Sequence, residues 1–344
     1  MGRPTAEVGS EEKDRSPRTT EWSFGILLVT ASLIVVAWLG SSSVGPTNYR
    51  SEVLGVSPGS PGVEFSIAGG DAYFVAVADP THSVAVPGYF SEPYVRINRD
   101  HSVWVNVNSP AYFINLDRYG ETSIPADVTA ESAPVWESVA GDGSYAWHDH
   151  RSHWMSEDLP PVVAGDVETT VFPWEVPLVV GAVDTTVRGE LVWLPSRSPI
   201  APILIGIIAL FPVALLGPRR LITTMILIGT ASFAAVVVTF ARQAGIPVSA
   251  RSFPAEMLLP AGAILLAATM VTKREVRHIT NLAGLAAAVL LAVWSLTAVS
   301  ALWMPVLTST LPPLLERSAV AFVVWAGGGL LGLRALLAAG TARP

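Results

Sequence analysis

Residues 221–241 read LITTMILIGTASFAAVVVTFA and contain no charged side chain. A membrane-spanning helix needs about 20 mostly apolar residues, because the bilayer core holds no water to satisfy free backbone groups. This segment therefore predicts a transmembrane helix. Working outward, Trp22–Leu39, Ile200–Leu216, Ala255–Val271, Leu282–Met304 and Ala319–Ala339 share its apolar character. A long polar stretch separates the first of these from the rest. The predicted organisation is a disordered cytoplasmic tail (1–21), a transmembrane anchor (22–40), an extracytoplasmic domain (41–197) and a five-helix transmembrane domain (198–344).

Composition supports this division. The chain has 344 residues, of which 51% are hydrophobic and only 14% charged, where soluble proteins carry about 25% charged residues. There is no cysteine. Disulfides, iron–sulfur clusters, thiolate zinc sites, thiol nucleophiles and blue-copper centres are thereby excluded, since each requires a cysteine sulfur. Lysine occurs only at Lys13 and Lys273, an arginine-heavy usage expected of a GC-rich bacterial genome.

Basic residues are retained on the cytoplasmic side of a membrane. Arg219, Arg220, Lys273, Arg274, Arg277 and Arg343 all fall on one side of the predicted spans; Arg242, Arg251 and Arg317 fall on the other, balanced in part by Glu256 and Glu316. Both termini are then expected in the cytoplasm, with residues 41–197 outside. The leader before Trp22 mixes Glu7, Glu11, Glu12 and Asp14 with Arg3, Lys13, Arg15 and Arg18. Signal-peptide n-regions are short and basic, so a retained signal-anchor is expected. Residues 41–197 hold 20 acidic and 7 basic side chains, a net of −13, against +7 for residues 198–344. A field that acidic repels nucleic acid and concentrates cations.

Within the outer region, short β-prone runs recur at 63–68, 73–77, 94–98, 103–108, 112–116, 144–148, 169–172 and 187–193, bounded by turn sequences such as Gly69-Gly70-Asp71 and Asn108-Ser109-Pro110. Many short strands between frequent turns predict an all-β sandwich. Residues 125–139 lack alternation and are expected to form a loop. Trp104, Trp136, Trp147, Trp154, Trp174 and Trp193 are expected in the core or at the membrane face.

One run concentrates chemistry: Gly143-Ser144-Tyr145-Ala146-Trp147-His148-Asp149-His150-Arg151-Ser152-His153-Trp154-Met155. On a strand, i and i+2 share a face, so His148 and His150 would present two imidazoles together while Asp149 faces away. A turn through Arg151 and Ser152 would return His153 as a third ligand. Three neutral nitrogens suit copper or zinc. Alternatively, the histidines hydrogen-bond loop carbonyls, and Asp149 and Arg151 pair with Arg118 and Asp117. His101, Asp149 and Met155 are additional candidate ligands.

The segment Gly143–His150 resembles the His-x-His strand of cupredoxin-type domains in multicopper oxidases, in which both histidines bind copper. The Cys-containing motif of those oxidases is missing, so oxidase activity is not implied. An outer β domain ending in Gly189-Glu190-Leu191-Val192-Trp193-Leu194-Pro195 and followed by helices also resembles multi-pass membrane proteins of actinobacteria, and loosely the fused copper-resistance membrane proteins. These resemblances imply a cupredoxin- or Ig-like fold and copper at His148 and His150. The spans carry no internal ionisable relay and no His, and Walker loops, Gly-x-Ser-x-Gly elbows and His-Glu-x-x-His pairs are missing; the sequence leans away from catalysis, with an outer-face enzyme using metal-activated water at His148, His150 and His153 and Asp149 or Glu157 as base left as a third reading. The helices are expected to contact the lipid bilayer and a membrane-protein partner. The rival reading is a metal-free envelope interaction or scaffold protein.

Overall fold

The computed structural model describes residues 44–215 and 221–340; the expected tail and anchor lie outside the described residues. Ten strands come first: β1 (Tyr49–Ser57), β2 (Val63–Ala68), β3 (Tyr73–Ala78), β4 (Val84–Pro87), β5 (Pro93–Ile97), β6 (Val103–Asn106), β7 (Trp136–Ala140), β8 (Ser144–Trp147), β9 (Thr169–Val180) and β10 (Val183–Trp193). A short helix, α1 (Pro110–Ile114), interrupts them. Five helices follow: α2 (Ile200–Leu215), α3 (Leu221–Ala244), α4 (Leu258–Thr272), α5 (Arg277–Ala298) and α6 (Pro313–Gly340).

The strands form a seven-stranded sheet, β1-β10-β9-β4-β5-β6-β7, and a three-stranded sheet, β2-β3-β8. All pairings are antiparallel. Period-2 patterning sends one face of each strand inward: Val84 and Val86 of β4 are buried while Ala85 is exposed, and Trp174, Val176, Leu178 and Val180 alternate with outward residues along β9. Both sheets contribute to one core. Phe74 and Trp147 from the small sheet meet Val84, Ile97, Val176 and Leu191 from the large one, and the Phe74 ring lies 5.0 Å from Trp147 and 6.1 Å from Trp174 between centroids.

Two sequence expectations fail here. Residues 112–116 were expected as a strand, but Pro110–Ile114 is a helix: Ser109 accepts a hydrogen bond from the Ala111 amide and Pro110 occupies the first turn, a start signal stronger than the β-propensity of Tyr112 and Phe113. Residues 136–140, expected within a loop, pair with β6 as β7. Trp136 there is held by the Arg96 guanidinium, 4.2 Å from its ring centroid, with Trp104 on the same cation at 5.3 Å. That attraction comes from across the sheet and is invisible in local alternation. β1 and β4 were also unanticipated, each being recruited by cross-strand partners.

Among the described residues, three helical stretches are long and apolar enough to cross a membrane: Leu221–Ala244, Ala255–Thr272 and Arg277–Leu302. α2 is a shorter apolar helix containing Pro212. α5 is central, with 61% of its apolar window buried against 33% for each of the other two stretches, and its Trp294 indole donates to Thr239 Oγ1 at 3.0 Å. Gly206 lets α2 approach α6 closely; a Cβ there would lie 2.8 Å from the Phe322 amide nitrogen.

The β domain rests on two helix connections. Thr47 pairs with Val306 in an isolated antiparallel bridge, the Arg197 amide donates to the Trp303 carbonyl at 2.7 Å, and the Ala146 amide of β8 donates to Ser249 Oγ at 3.0 Å. Tyr73, Ala72 and Ala146 pack with Ile246 in a small buried cluster. The α3–α4 and α5–α6 connections therefore lie on the same side of the helices as the β domain.

Candidate metal centre

β8 ends at Trp147, and the segment that follows turns back on itself instead of continuing as a strand. The Ser152 amide donates to the Asp149 carbonyl at 2.9 Å, closing the turn. His148, His150 and His153 are nevertheless brought together by this turn. The His150 and His153 rings lie 4.8 Å apart between centroids, and His148 and His153 lie 6.3 Å apart. The shared face predicted from strand alternation is thus replaced by a turn that achieves the same gathering.

Two of the imidazoles hold a backbone carbonyl with one nitrogen. His150 Nε2–H donates to the Asp117 carbonyl at 3.0 Å, and His153 Nδ1–H to the Trp154 carbonyl at 3.1 Å. The Ala72 backbone acts in the same sense on the His148 ring. The second nitrogen of each ring (Nδ1 of His148, Nδ1 of His150 and Nε2 of His153) is buried and meets no hydrogen-bond partner among the described residues. Buried polar atoms are seldom left so. A carbonyl on one nitrogen fixes the proton there and leaves the other with a free lone pair, which is how metal-binding histidines are held.

Burial pushes the His148 imidazole down to about 4 and the His153 imidazole down to about 3; His150 is also lowered. The carbonyl bonds oppose that shift, and the Arg118 guanidinium adds to it at all three rings. The rings are therefore neutral at ordinary pH. They are also less accessible than loop histidines usually are: His150 is 8% exposed and His153 1%.

The carboxylates around this cluster are engaged elsewhere. Asp149, a candidate ligand on sequence, is fully buried and accepts from Arg151 Nε at 2.7 Å, Arg151 Nη2 at 2.6 Å and Trp147 Nε1 at 2.9 Å. Asp117 takes the Tyr119 and Glu121 amides on Oδ1 and the Thr122 amide and hydroxyl on Oδ2. Although partial burial acts to raise it, these bonds hold its carboxyl down at about 2. Asp71 pairs with Arg118. The cross-pairing of Asp149 and Arg151 with Arg118 and Asp117, one sequence expectation, does not occur.

Of the remaining candidates, Met155 reaches the cluster and His101 does not. A Cβ built on Gly120, which has φ +68°, would lie 3.3 Å from His150 Nδ1 and 3.4 Å from the Met155 methyl carbon. The bare glycine thus leaves open the space between the His150 lone pair and the half-exposed Met155. His101 sits beside Gly143 at the opposite end of β8. Tyr73, which sequence reading did not single out, has its ring 4.6 Å from that of His148. Tyr89, also missed, accepts the His150 amide on its hydroxyl at 3.0 Å. No local motif marks either residue.

Two imidazoles sharing one ion at about 2 Å per bond place their centroids about 5 Å apart, a separation that the observed 4.8 and 6.3 Å bracket. As they stand, however, no three His, Asp or Glu side chains among the described residues form a closed metal-binding group. No family model, no curated protein and no solved structure matches this chain.

Proposed function

We propose that this is a multi-pass membrane protein whose extracytoplasmic, cupredoxin- or Ig-like β domain binds a metal ion, copper in preference to zinc, at His148, His150 and His153, for metal handling or as part of a membrane complex. The observation that carries the reading is the set of three neighbouring neutral imidazoles, two buried and one half-buried, each with a buried nitrogen that meets no partner among the described residues, two of them tied to a carbonyl through the other nitrogen. A bound cation would satisfy the orphaned lone pairs of three neighbouring rings together.

The outward placement follows from charge. Arg242, Arg251 and Arg317, the basic residues on the wrong side for a simple positive-inside count, are all locally engaged. Arg251 donates to the Ile246 and Ala244 carbonyls, Arg317 to those of Ala301 and Met304, and Arg242 to Glu316. Lys273, Arg274 and Arg277 cluster at the opposite helix ends, on the side retained in the cytoplasm. A reporter fused near Gly143 then reads out on the extracytoplasmic side.

The test is metal analysis of the full-length protein purified in detergent, after loading with copper or zinc and removal of excess. One equivalent is expected, and it is lost in His148→Gln and His150→Gln, which retain a donor for the Ala72 backbone and the Asp117 carbonyl. Less than about half an equivalent in the parent protein shifts the reading to a metal-free envelope scaffold. That second reading draws on the strongly acidic 41–197 region and on the lack of a closed donor group among the described residues.

A further inference from the structure

We infer that this site, if it binds metal as proposed above, is built for monovalent copper rather than for a divalent ion. The argument rests on what the donors lack. The donors are uncharged: three imidazole nitrogens and, beyond the open Cα of Gly120, the side chain of Met155, whose methyl carbon borders that space.

Three carboxylates belong to the segments around the cluster, and each is charge-paired with an arginine or hydrogen-bonded within its own turn. Asp149 is clamped by both nitrogens of Arg151 and by the Trp147 indole. Asp117 is occupied by three amides and a hydroxyl. Asp71 is charge-paired with Arg118 through Oδ2, while its buried Oδ1 meets no hydrogen-bond partner among the described residues. The guanidinium of Arg118 acts on all three imidazoles as a positive charge, and Asp117 acts in the opposite sense on His148 and His150, as Asp149 does on His150.

Burial makes that balance decisive. The cost of moving an ion out of water rises with the square of its charge, so a dication transferred into a neutral donor set is penalised about four times as heavily as a monocation. Zinc and cupric sites usually offset the penalty with an anionic ligand or an open aqueous position; the carboxylates around this cluster are charge-paired with arginines or hydrogen-bonded within their own turn, and two of its three rings are buried. Cuprous ion needs neither. It takes two to four soft or borderline neutral donors, and a thioether is selective for it. Met155 stands at the half-exposed rim, where an arriving ion would meet it first.

The experiment titrates the full-length protein anaerobically with Cu(I) held by a chromophoric chelator, and separately with Zn(II) and Cu(II). Cu(I) is expected at one equivalent and about a hundredfold tighter than Zn(II). Met155→Leu should weaken Cu(I) about tenfold while leaving Zn(II) unchanged. Met155→Glu, which adds an anionic donor at an exposed position, should narrow or reverse the preference. One equivalent of Zn(II) or Cu(II) bound as tightly as Cu(I) overturns the inference while leaving a metal site in place. Failure of all three ions to bind overturns this inference together with the metal reading. Equal Cu(I) affinity in Met155→Leu removes the thioether from the argument and, with it, the basis for selectivity at the rim.

Discussion

Arg118 reaches across to Asp71, and the pair joins two segments that border the histidines: Ala72, which follows Asp71, lies beside His148, and the carbonyl of Asp117, which precedes Arg118, accepts from His150. The ion pair therefore sets the spacing between two imidazoles it does not touch. Its members are unequally placed, since the Asp71 side chain is fully buried and that of Arg118 is 27% exposed.

That asymmetry predicts unequal costs. Arg118→Ala strands a buried carboxylate and should destabilise the β domain by about 3–5 kcal/mol. Asp71→Asn leaves a cation that can turn toward water and should cost less. In both variants the histidine tautomers should lose definition, which 15N spectra of His-labelled protein will read directly. The parent protein is expected to show His148 and His150 protonated at Nε2. A single unchanged tautomer pattern in both variants would remove Asp71 and Arg118 from any positioning role.

The metal-free protein should lose stability in mild acid. Unfolded histidine titrates near 6.5, whereas folded His148 and His153 titrate at about 4 and about 3. Between these values the unfolded state binds more protons than the folded one, so stability falls as pH drops below 6.5, with a slope of up to about 1.4 kcal/mol per pH unit for each proton. The carboxylate of Asp117, held at about 2, acts in a separate window, its contribution being lost only below the ordinary carboxylate range. Denaturant unfolding at pH 7, 6, 5 and 4.5 measures the slope. His153→Asn keeps a donor for the Trp154 carbonyl and should reduce it by about one proton's worth.

Much of this architecture was legible in the residues. Three of the expected spans are matched by stretches long and apolar enough to cross a membrane, because a bilayer demands uninterrupted apolar length, and the run Val63–Ala68 matched β2 at both ends because its turn signals are local. The histidine cluster was legible from spacing, although the predicted geometry was not: β8 stops one residue short of His148 since Asp149 turns inward to Arg151 and Trp147. Tyr73, Tyr89 and the Asp71–Arg118 pair were illegible, because each is joined to the site by contacts between residues far apart in the chain. The same applies to β7, recruited by Arg96.

A second ion pair stitches the helices together. Arg242 Nε meets Glu316 Oε1 at 2.7 Å, linking α3 to α6, and the Glu316 side chain is fully buried. Arg242→Ala should leave that carboxylate uncompensated and cost about 3–5 kcal/mol, whereas Glu316→Gln, which retains an acceptor, should cost less. Thermal unfolding of the detergent-solubilised protein will order the two variants. An Arg242→Ala protein as stable as its parent would show that the pair contributes nothing to helix packing.

Trp147 separates packing from ligation within the histidine segment. Its indole is 3% exposed, lies in the core between the sheets against Phe74, and stacks on Tyr145 at 5.8 Å between centroids. Truncation to Ala should cost about 3–5 kcal/mol through the cavity it opens. Trp147→Phe keeps most of that volume and removes only the indole N–H to Asp149, whose carboxylate retains both Arg151 bonds; about 1 kcal/mol is expected, the usual net worth of one hydrogen bond. The histidine substitutions should behave oppositely. His148→Gln and His150→Gln retain a hydrogen-bond donor and should leave unfolding within about 1–2 kcal/mol of the parent while abolishing metal uptake. Denaturant unfolding and metal content measured on the same preparations decide the matter. If the histidine variants unfold the domain as Trp147→Ala does, with metal content unaltered, the three rings serve the turn alone and the copper reading fails.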